Sequence, residues 1–263
     1  MDPRPTVIVT GASRGVGAAV ARWLGSQGVS VSLVARNQNA LESTASEVRD
    51  LGGTAFVIAA DVADPAACRN IVEKTIDRFQ SLTGLVNNAG ILTPMETVAL
   101  AGTNDWRYNI EVNLLGPVYL SKAAIPALRQ SHGRIINVSS GAAHHVIAAA
   151  SAYCAAKAGL NQFSRVLAAE EPDLTVIALR PGVVDTQMQK LLRKLGPEKM
   201  PPEQADYYVN LKATGQLEPA AVPGRSVAWM ALYAPRDWSG AFMSYDEPQV
   251  SVPALAVFGE SHG

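Results

Sequence analysis

Short apolar runs alternate with amphipathic segments along the chain. The runs are rich in Val, Ile and Leu, have the length of strands, and lie at residues 6–10, 29–35, 54–60, 82–87, 134–139, 174–179 and 241–245. Apolar residues at helical spacing follow from residue 16 onward and over residues 39–51, 65–79, 104–130, 152–169 and 220–233. Strands that are apolar almost throughout are covered on both faces, and their alternation with helices is typical of parallel sheets. We therefore predict an α/β fold in which a doubly wound parallel sheet of about seven strands is flanked by helices.

Two stretches depart from this alternation. A Gly-Pro pair at residues 116–117 lies inside the predicted helix at 104–130, and we expect a bend there because proline removes a backbone donor. Residues 184–217 are polar and less regular, and three prolines interrupt them. No repeat or linker divides the chain. We therefore predict one domain over residues 1–263, with the strand at 241–245 as its last element.

Composition and charge exclude several classes of partner. The formal net charge is −1, so the chain lacks the positive field that attracts nucleic acid. No stretch of about 20 uninterrupted apolar residues is present, which argues against a membrane span. The two cysteines, Cys68 and Cys154, make neither a disulfide framework nor a metal-ligand pair. Residues 1–5 leave no room for a signal peptide and residues 261–263 match no targeting address, so we expect a cytoplasmic protein.

A glycine-rich loop joins the first predicted strand to the first predicted helix. Its sequence from Thr10 to Gly17 is T-G-A-S-R-G-V-G. Glycine permits a tight turn, and a helix N-terminus presents free N–H groups and the positive end of its dipole to an anion. Such a turn can be purely structural, but its place after the first strand is the one that a dinucleotide-binding loop requires. We expect six residues of the loop to bind a cofactor, namely Gly11, Ser13, Arg14, Gly15, Val16 and Gly17.

Tyr153 and Lys157 lie four positions apart in the predicted helix at 152–169, so their side chains share one helix face. A nearby ammonium stabilises a phenolate. The spacing therefore predicts a tyrosine pKa lowered from its ordinary value of about 10 toward the range of a general acid or base. Such a pair also occurs by chance on solvated helix faces, but the glycine loop upstream favours the catalytic interpretation.

Five motifs in this order resemble the short-chain dehydrogenase/reductase family over nearly the whole chain. They are Thr10-Gly11-x-x-x-Gly15-x-Gly17, Asp61-Val62, Asn87-Asn88-Ala89-Gly90, Tyr153-x-x-x-Lys157 and Pro181-Gly182. The resemblance implies a Rossmann fold that binds a nicotinamide cofactor, with Asp61, Val62 and Asn88 on its adenosine side. It also implies that Val184 and Thr186 contact the carboxamide and the phosphates.

The same resemblance assigns the catalytic residues. In this family a serine at the end of the fifth strand binds the substrate oxygen, usually thirteen positions before the tyrosine, and Ser140 satisfies that interval. Ser139 is then expected to be a structural hydroxyl that caps the strand end. Asn113 resembles the helix asparagine that holds a water in a proton relay to the lysine. The implied reaction is hydride transfer between nicotinamide and a carbonyl carbon, with Tyr153 donating the proton and Lys157 binding the ribose and tuning the tyrosine.

The end of the second strand bears on the choice of cofactor. An acidic residue there binds the ribose 2′-hydroxyl in NAD enzymes, but this chain has Ala35-Arg36-Asn37. Arg14 in the glycine loop can reach the same region, and two guanidiniums favour charge-assisted binding of a 2′-phosphate. Both arginines can instead be solvated surface residues. We expect NADP(H) as the cofactor, bound by Arg14 and Arg36.

The loop before Tyr153 and a later segment are expected to form the substrate side. The loop contains His144, His145, Val146 and Ile147, and its histidines lack partner ligands at the spacing of a metal site, so we expect no metal. Residues 186–217 are expected to form a lid whose apolar and aromatic side chains favour a bulky or hydrophobic carbonyl compound. Those side chains include Met188, Met200, Tyr207 and Tyr208.

Residues near the C-terminus resemble the branch of the family that contains sepiapterin reductase and the benzil reductases. They are the segment 214–217, Pro219 and the segment 239–246, where the Gly-Gly pair of larger branches is missing. This resemblance argues against an acyl-carrier-protein substrate. It also makes Asp246 a candidate substrate anchor.

The function that follows is NADP(H)-dependent reduction of a ketone or diketone to an alcohol, or the reverse. A sepiapterin-type pteridine reductase is one alternative. A binding protein that senses NADP(H) without turnover is another, because fold alone does not separate it from an enzyme. The complete set of Asn113, Ser140, Tyr153 and Lys157 favours an enzyme, since a sensor has no need of a proton relay.

The helices predicted at 104–130 and 152–169 carry small or apolar residues around more of their surface than one buried stripe needs. Five alanines on the second helix permit close approach of another helix, namely Ala155, Ala156, Ala158, Ala168 and Ala169. In the resembled family these helices often form a dimer interface. We therefore expect a homodimer or homotetramer.

Overall fold

One parallel sheet organises the part of the chain that the computed structural model describes, residues 4–260. Its strands are β1 Thr6–Thr10, β2 Ser30–Ala35, β3 Thr54–Ala59, β4 Gly84–Asn87, β5 Arg134–Val138, β6 Thr175–Arg180 and β7 Phe242–Ser244. Over the described residues the order across the sheet is β3-β2-β1-β4-β5-β6-β7. The predicted doubly wound α/β sheet is confirmed. The expectations drawn from residues 1–3 and 261–263 lie outside the described residues.

Helices cover both faces of this sheet. Within residues 4–260 they are α1 Gly15–Ser26, α2 Gln38–Asp50, α3 Pro65–Phe79, α4 Thr103–Ile110, α5 Gly116–Gln130, α6 Ser151–Glu170, α7 Gln187–Lys199, α8 Pro202–Ala213, α9 Ala221–Tyr233 and α10 Pro248–Phe258. Helices α1, α2, α9 and α10 pack on one face, and α3, α5 and α6 pack on the other. The parallel strands therefore lie between two helical layers, as their apolar runs predict.

The central strand β1 shows why the sequence specifies this arrangement. Val7 and Val9 pack into the core on one face of the sheet, and Ile8 packs into the core on the other. All three side chains are 0% exposed. Burying an aliphatic side chain of this size stabilises the fold by about 1.5–3 kcal/mol. A polar residue at any of these positions would therefore weaken one of the two cores.

The helix predicted at 104–130 is divided by a π-helical turn, Glu111–Leu115. The Gly-Pro pair follows this turn directly and stands at the start of α5. Proline lacks the donor that would bond to the preceding turn, so the irregularity lies next to the pair, where a bend was expected. Turns of this kind inside α-helices occur frequently at functional sites.

Residues 184–217 are more regular than the sequence analysis predicts. They contain α7 and α8, and the prolines do not prevent either helix. Pro197 lies near the C-terminal end of α7, and Pro202 occupies the first turn of α8. The segment that is expected to form a lid is therefore helical.

A final helix, α10, follows the strand that was predicted to close the chain. Pro248 and Pro253 hid it from the pattern analysis, although Pro248 lies in the first turn, where proline is tolerated. Val250, Ala254 and Phe258 form the buried side of this helix. Phe258 packs against Trp23 of α1, with ring centroids 5.5 Å apart.

Candidate active site

A cavity of about 1460 Å³ opens at the carboxyl ends of the parallel strands, on both sides of the point where the strand order reverses between β1 and β4. Most of the residues predicted for the site line it. They are Gly11, Ser13, Arg14, Gly15, Val16, Arg36, Asp61, Val62, Asn88, Ser140, Tyr153, Lys157, Val184 and Thr186. Gly17 and Asn113 support it from behind rather than line it. The fold thus brings residues from distant parts of the sequence to one cavity.

The glycine positions of the loop have little or no room for side chains. Gly11 has φ +65° and Gly15 has φ +58°, a backbone region that favours glycine. A Cβ on Gly17 would lie 2.4 Å from both the Gly11 carbonyl oxygen and Asn88 Nδ2. The first N–H groups of α1, which have no intrahelical partner, begin at this loop. The loop therefore fits the phosphates of a dinucleotide cofactor.

Asn88 joins the segment after β4 to the end of β1, where the glycine loop begins. Its side-chain Nδ2 donates to the Thr10 carbonyl at 2.8 Å, and its backbone N–H donates to Thr10 Oγ1 at 2.9 Å. Asn88 lines the cavity, but its amide group also has this structural task. A second chain of buried amides, which no sequence motif indicated, lies beside it. Asn87 Nδ2 donates to Asn137 Oδ1 and Asn137 Nδ2 donates to Ser164 Oγ, each at 2.8 Å.

Tyr153 and Lys157 are both buried at the cavity wall, 7% and 4% exposed. Lys157 Nζ lies 5.6 Å from the centroid of the Tyr153 ring and donates to the Val138 carbonyl at 2.8 Å. Burial lowers the pKa of Lys157 from 10.5 to about 8, because the charged ammonium loses its hydration. The predicted helix face is therefore present, with the ammonium beside the ring.

The pKa of Tyr153 differs from the sequence-based expectation. Burial raises it to about 12, although a side-chain hydrogen bond with Ser140 acts in the opposite direction. The expected lowering of this pKa was wrong, because removal of the phenolate from water outweighs the stabilising contacts. Tyr153 is thus protonated at neutral pH and available as an acid.

The two serines after β5 have separate partners. Ser140 Oγ accepts a hydrogen bond from the Ala142 N–H at 3.1 Å and bonds with Tyr153. Ser139 Oγ donates to Asn161 Oδ1 of α6 at 2.6 Å. Ser139 is therefore a structural hydroxyl that joins the end of β5 to α6, whereas it had been expected to cap the strand end. Asn161 is a supporting residue that the sequence analysis missed.

Asn113 lies fully buried within the π-helical turn. Its Oδ1 accepts from the Ile91 N–H at 3.1 Å, and its Nδ2 donates to the Ile91 carbonyl at 2.8 Å and to the Asn109 carbonyl at 3.0 Å. The side chain therefore holds the segment after β4. A Cβ on Gly90 would lie 2.8 Å from Asn113 Oδ1 and 3.8 Å from Lys157 Nζ, so the absence of a side chain at this glycine leaves room for both groups.

Three polar side chains meet at the other end of the cavity. Arg36 Nη1 donates to the Tyr108 hydroxyl at 2.9 Å, and that hydroxyl donates to Asp61 Oδ2 at 2.7 Å. Arg36 Nη1 lies 4.0 Å from the same carboxylate oxygen. Arg14 is an exposed residue of the same cavity. Tyr108 was not among the predicted site residues, because a tyrosine within a helix carries no motif.

Val184 and Thr186 approach the glycine loop from the end of β6. A Cβ on Gly15 would lie 3.3 Å from Thr186 Cγ2, so this threonine packs directly against the loop. Thr186 Oγ1 donates to the Val184 carbonyl at 3.4 Å. Both residues line the cavity, and their contacts with a carboxamide and phosphates stay a prediction.

Helices α7 and α8 cover the cavity beside Tyr153. Met200 and Leu192 belong to the buried cluster that contains Tyr153, and Met188 and Tyr208 pack against this cluster. Tyr207 and Tyr208 stack edge to face with their centroids 5.1 Å apart and both line the cavity. Gln204 Oε1 accepts from the Ala148 N–H at 3.0 Å and so joins α8 to the loop before α6.

Two expected substrate contacts lie elsewhere. His145, Val146 and Ile147 line the cavity, but His144 turns toward α6 and β7. Its Nε2 is 3.3 Å from Asn161 Nδ2 and its ring centroid is 4.9 Å from that of Phe242. Asp246 lies outside the cavity lining and accepts a hydrogen bond from the Ser244 hydroxyl.

The described residues, 4–260, bear on two further kinds of site, one for a metal ion and one for a membrane. Within this range no three His, Cys, Asp or Glu side chains come together in a group that could hold a metal ion. In the same part of the chain no helix is both long enough and apolar enough to cross a membrane.

Comparison with known proteins agrees with this geometry. A family model described as short chain dehydrogenase matches residues 5–195. The Saccharomyces cerevisiae protein named uncharacterized oxidoreductase YIR035C is 32% identical over 249 residues, which are 93% of this chain and 97% of the relative. Its crystal structure has a TM-score of 0.89 with this chain at 31% identity and covers 95% of this chain and 98% of the other.

Two further relatives have names that state an activity. Benzil reductase ((S)-benzoin forming) IRC24 of Saccharomyces cerevisiae is 32% identical over 257 residues, which cover 93% of this chain and 97% of the relative. An actinorhodin polyketide ketoreductase solved with NADPH has a TM-score of 0.83 and 27% identity, covering 92% of this chain and 95% of the other.

The close contact at Gly17 predicts the effect of adding one methyl group. Gly17→Ala places a Cβ against backbone atoms that cannot move aside, so the loop must shift away from its place beside Asn88. We expect binding of a reduced nicotinamide cofactor, measured by its fluorescence, to weaken by about tenfold or more.

Gly196→Ala is the matched control for that experiment. A Cβ at Gly196, inside α7, would make an ordinary contact with Met200 Sδ at 3.4 Å. This variant is expected to bind normally and to unfold in urea with a free energy about 0.5–1 kcal/mol higher, because alanine favours helix interiors. Equal binding by both variants would contradict the role of the loop.

Proposed function

The chain belongs to the short-chain dehydrogenase family of oxidoreductases, which act on CH–OH and C=O groups, and from this premise we propose that it reduces a ketone or diketone with NADPH, or catalyses the reverse reaction. One observation carries the proposal. Ser140, Tyr153 and Lys157 meet at the wall of a single cavity whose far end is a glycine loop shaped for phosphates. A pure binding protein has no need of a buried acid at this position.

The mechanism assigns each side chain a separate task. When bound, the nicotinamide supplies or accepts the hydride. Ser140 donates a hydrogen bond to the substrate oxygen and positions it beside Tyr153. The Tyr153 hydroxyl then donates its proton to that oxygen as negative charge develops there. Because its pKa is raised to about 12, Tyr153 keeps this proton until negative charge develops on the substrate oxygen.

Lys157, beside the ring of Tyr153, assists this proton transfer. One of its N–H groups donates to Val138, which leaves two donors for a ribose hydroxyl and for the developing phenolate. Its positive charge stabilises the phenolate that remains after proton transfer. Asn113 holds the segment between β4 and α4 through Ile91, next to Gly90, and so preserves the space beside the lysine.

The lining of the cavity favours a bulky carbonyl substrate. Ile147, Met188, Leu192 and the two tyrosines of α8 surround the space beside Tyr153. The name of the benzil reductase relative supports an aromatic diketone. A pteridine substrate of the sepiapterin type is less well supported, because Asp246, the candidate anchor for a polar ring, lies outside the cavity lining.

Turnover with NADPH is the first test. A panel of aromatic ketones and diketones is mixed with the protein and NADPH, and nicotinamide absorbance is followed. Tyr153→Phe should bind NADPH normally and lose turnover by about 100-fold or more, since only the transferable proton has gone. Tyr119→Phe, on α5 away from the cavity, should keep full activity. Binding of NADPH by the wild type without turnover of any panel member would favour the sensor instead.

The buried lysine predicts a dependence on pH. Below its pKa of about 8 Lys157 is charged, and above it the charge that stabilises the phenolate is lost. Tyr153 keeps its proton throughout this range. We therefore expect kcat/KM for reduction to be level on the acid side of this value and to fall on the alkaline side. A profile that rises through pH 8 would contradict the role of Lys157.

The preference for NADPH rests on the charges at the adenosine end. Arg14 and Arg36 line the cavity there, and neither residue next to Arg36 is acidic. A 2′-phosphate would receive charge-assisted hydrogen bonds from one or both guanidiniums. Asp61 lies nearby and faces Tyr108, which leaves the outward N–H groups of Arg36 for the phosphate.

Charge reversal at Arg36 tests this preference. Arg36→Asp removes a charge-assisted bond, worth about 1.5–3 kcal/mol, and adds repulsion. The KM for NADPH should rise by about tenfold or more while NADH becomes usable. Arg69→Asp, an equal charge change on an exposed part of α3, should leave both constants unchanged. An unchanged NADPH/NADH preference in Arg36→Asp would remove the phosphate assignment.

Self-association through α5 and α6 is also part of the proposal. Ala155, Ala158 and Ala169 are exposed on α6, and Val166 is 44% exposed on the same helix. Ala156 is buried inside the chain and does not contribute. We expect light scattering at micromolar concentration to give a dimer or tetramer, and a mass of 27.7 kDa would contradict this.

We further propose a reducing, cytoplasmic location, because Cys68 and Cys154 are free thiols.

A further inference from the structure

Tyr108 has a polar contact that the proposed mechanism does not use. It joins two groups from different parts of the chain, Arg36 after β2 and Asp61 after β3, and all three residues line the cavity. The direction of each bond follows from the groups themselves. A carboxylate only accepts and a guanidinium only donates, so the Tyr108 hydroxyl donates to Asp61 and accepts from Arg36.

We propose that Tyr108 is a positioning residue that holds Arg36 ready for the 2′-phosphate of the cofactor and prevents a direct hydrogen bond between Arg36 and Asp61. This inference rests on the proposed preference for NADP(H). It adds a determinant of that preference which lies on α4, outside the glycine loop and the end of β2.

The first reason is that Arg36 needs a fixed partner. Its side chain is 63% exposed, and a long exposed side chain loses rotamer freedom when it binds a ligand. Tyr108 has only two side-chain torsions, and its ring packs against the core on one face of the sheet. A hydroxyl anchored in this way restrains the guanidinium before the cofactor arrives, so less freedom is lost on binding.

The second reason is that the hydroxyl occupies the carboxylate. Asp61 Oδ2 accepts from Tyr108 at 2.7 Å, and Oδ1 accepts from the Ala63 N–H at 3.0 Å. The nearest distance from Arg36 to Asp61 is 4.0 Å, too long for a hydrogen bond. Without the hydroxyl, the guanidinium could form a direct bidentate pair with Asp61 and lose the donors that a phosphate requires.

The third reason is that the hydroxyl keeps its proton. Burial and the hydrogen bond to Asp61 raise the pKa of Tyr108 above its ordinary value. The donor toward Asp61 therefore persists at neutral and moderately alkaline pH. The two hydrogen bonds, from Arg36 to Tyr108 and from Tyr108 to Asp61, therefore keep their directions over that pH range.

Titration calorimetry with ADP-ribose and 2′-phospho-ADP-ribose tests this role without any turnover. Tyr108→Phe removes only the hydroxyl. We expect it to weaken binding of the phosphorylated ligand by about three- to tenfold and that of ADP-ribose by less than about twofold. Tyr119→Phe is the matched control, since Tyr119 packs against the same core outside the cavity lining, and it should change neither affinity.

A double-mutant cycle with Arg36→Ala separates positioning from a merely structural effect. In that background Tyr108→Phe should have no further effect on the phosphorylated ligand, because the residue that it positions has gone. Equal loss for both ligands, no loss, or a loss that persists undiminished without Arg36 would overturn the inference.

The outcomes also separate this inference from the proposed function. Wild-type protein that does not prefer the phosphorylated ligand would overturn the NADP(H) assignment together with the role of Tyr108. A preference that Arg36→Ala abolishes and Tyr108→Phe leaves intact would overturn the role of Tyr108 alone. Absence of carbonyl turnover would leave the binding result fully interpretable.

Discussion

Close contact at Gly17 determines where the rest of the site can lie. A Cβ there would lie 2.4 Å from the Gly11 carbonyl oxygen and 2.4 Å from the side-chain Nδ2 of Asn88, so the end of β1, the start of α1 and the segment after β4 meet where only a hydrogen atom fits. Asn88 secures the same point through Thr10. The unpaired N–H groups of α1 and the buried groups after β5 consequently belong to one cavity.

Burial has opposite consequences for the two central side chains. It raises the pKa of Tyr153 and lowers that of Lys157, so it favours the neutral form of each. In the proposed mechanism a neutral tyrosine is the proton donor for reduction, whereas a neutral lysine cannot stabilise the product phenolate. That mechanism therefore requires a pH at which the tyrosine keeps its proton and the lysine still carries its charge.

The sheet and the glycine loop could be read from sequence because each depends on local patterns. Apolar strand runs and a positive-φ glycine turn leave signals within a few residues. Helices α7 and α8 were missed, since the prolines of 184–217 argue against a helix unless their positions near helix ends are known. Tyr108 and Asn161 were missed for another reason. Their partners are 47 and 22 positions away, at Asp61 and Ser139, so no spacing along the chain marks them.

The π-helical turn at Glu111–Leu115 gives the long helical segment an unusual sensitivity to chain length. It accommodates more residues in a turn than an α-helix does, and each residue of an α-helix corresponds to a rotation of about 100°. If the same residues wound as a regular α-helix, the additional residue would rotate α4 by about 100° relative to α5. Tyr108 would then leave the adenosine end of the cavity, although no residue there had been substituted. In this segment the number of residues carries information that their chemical identities do not.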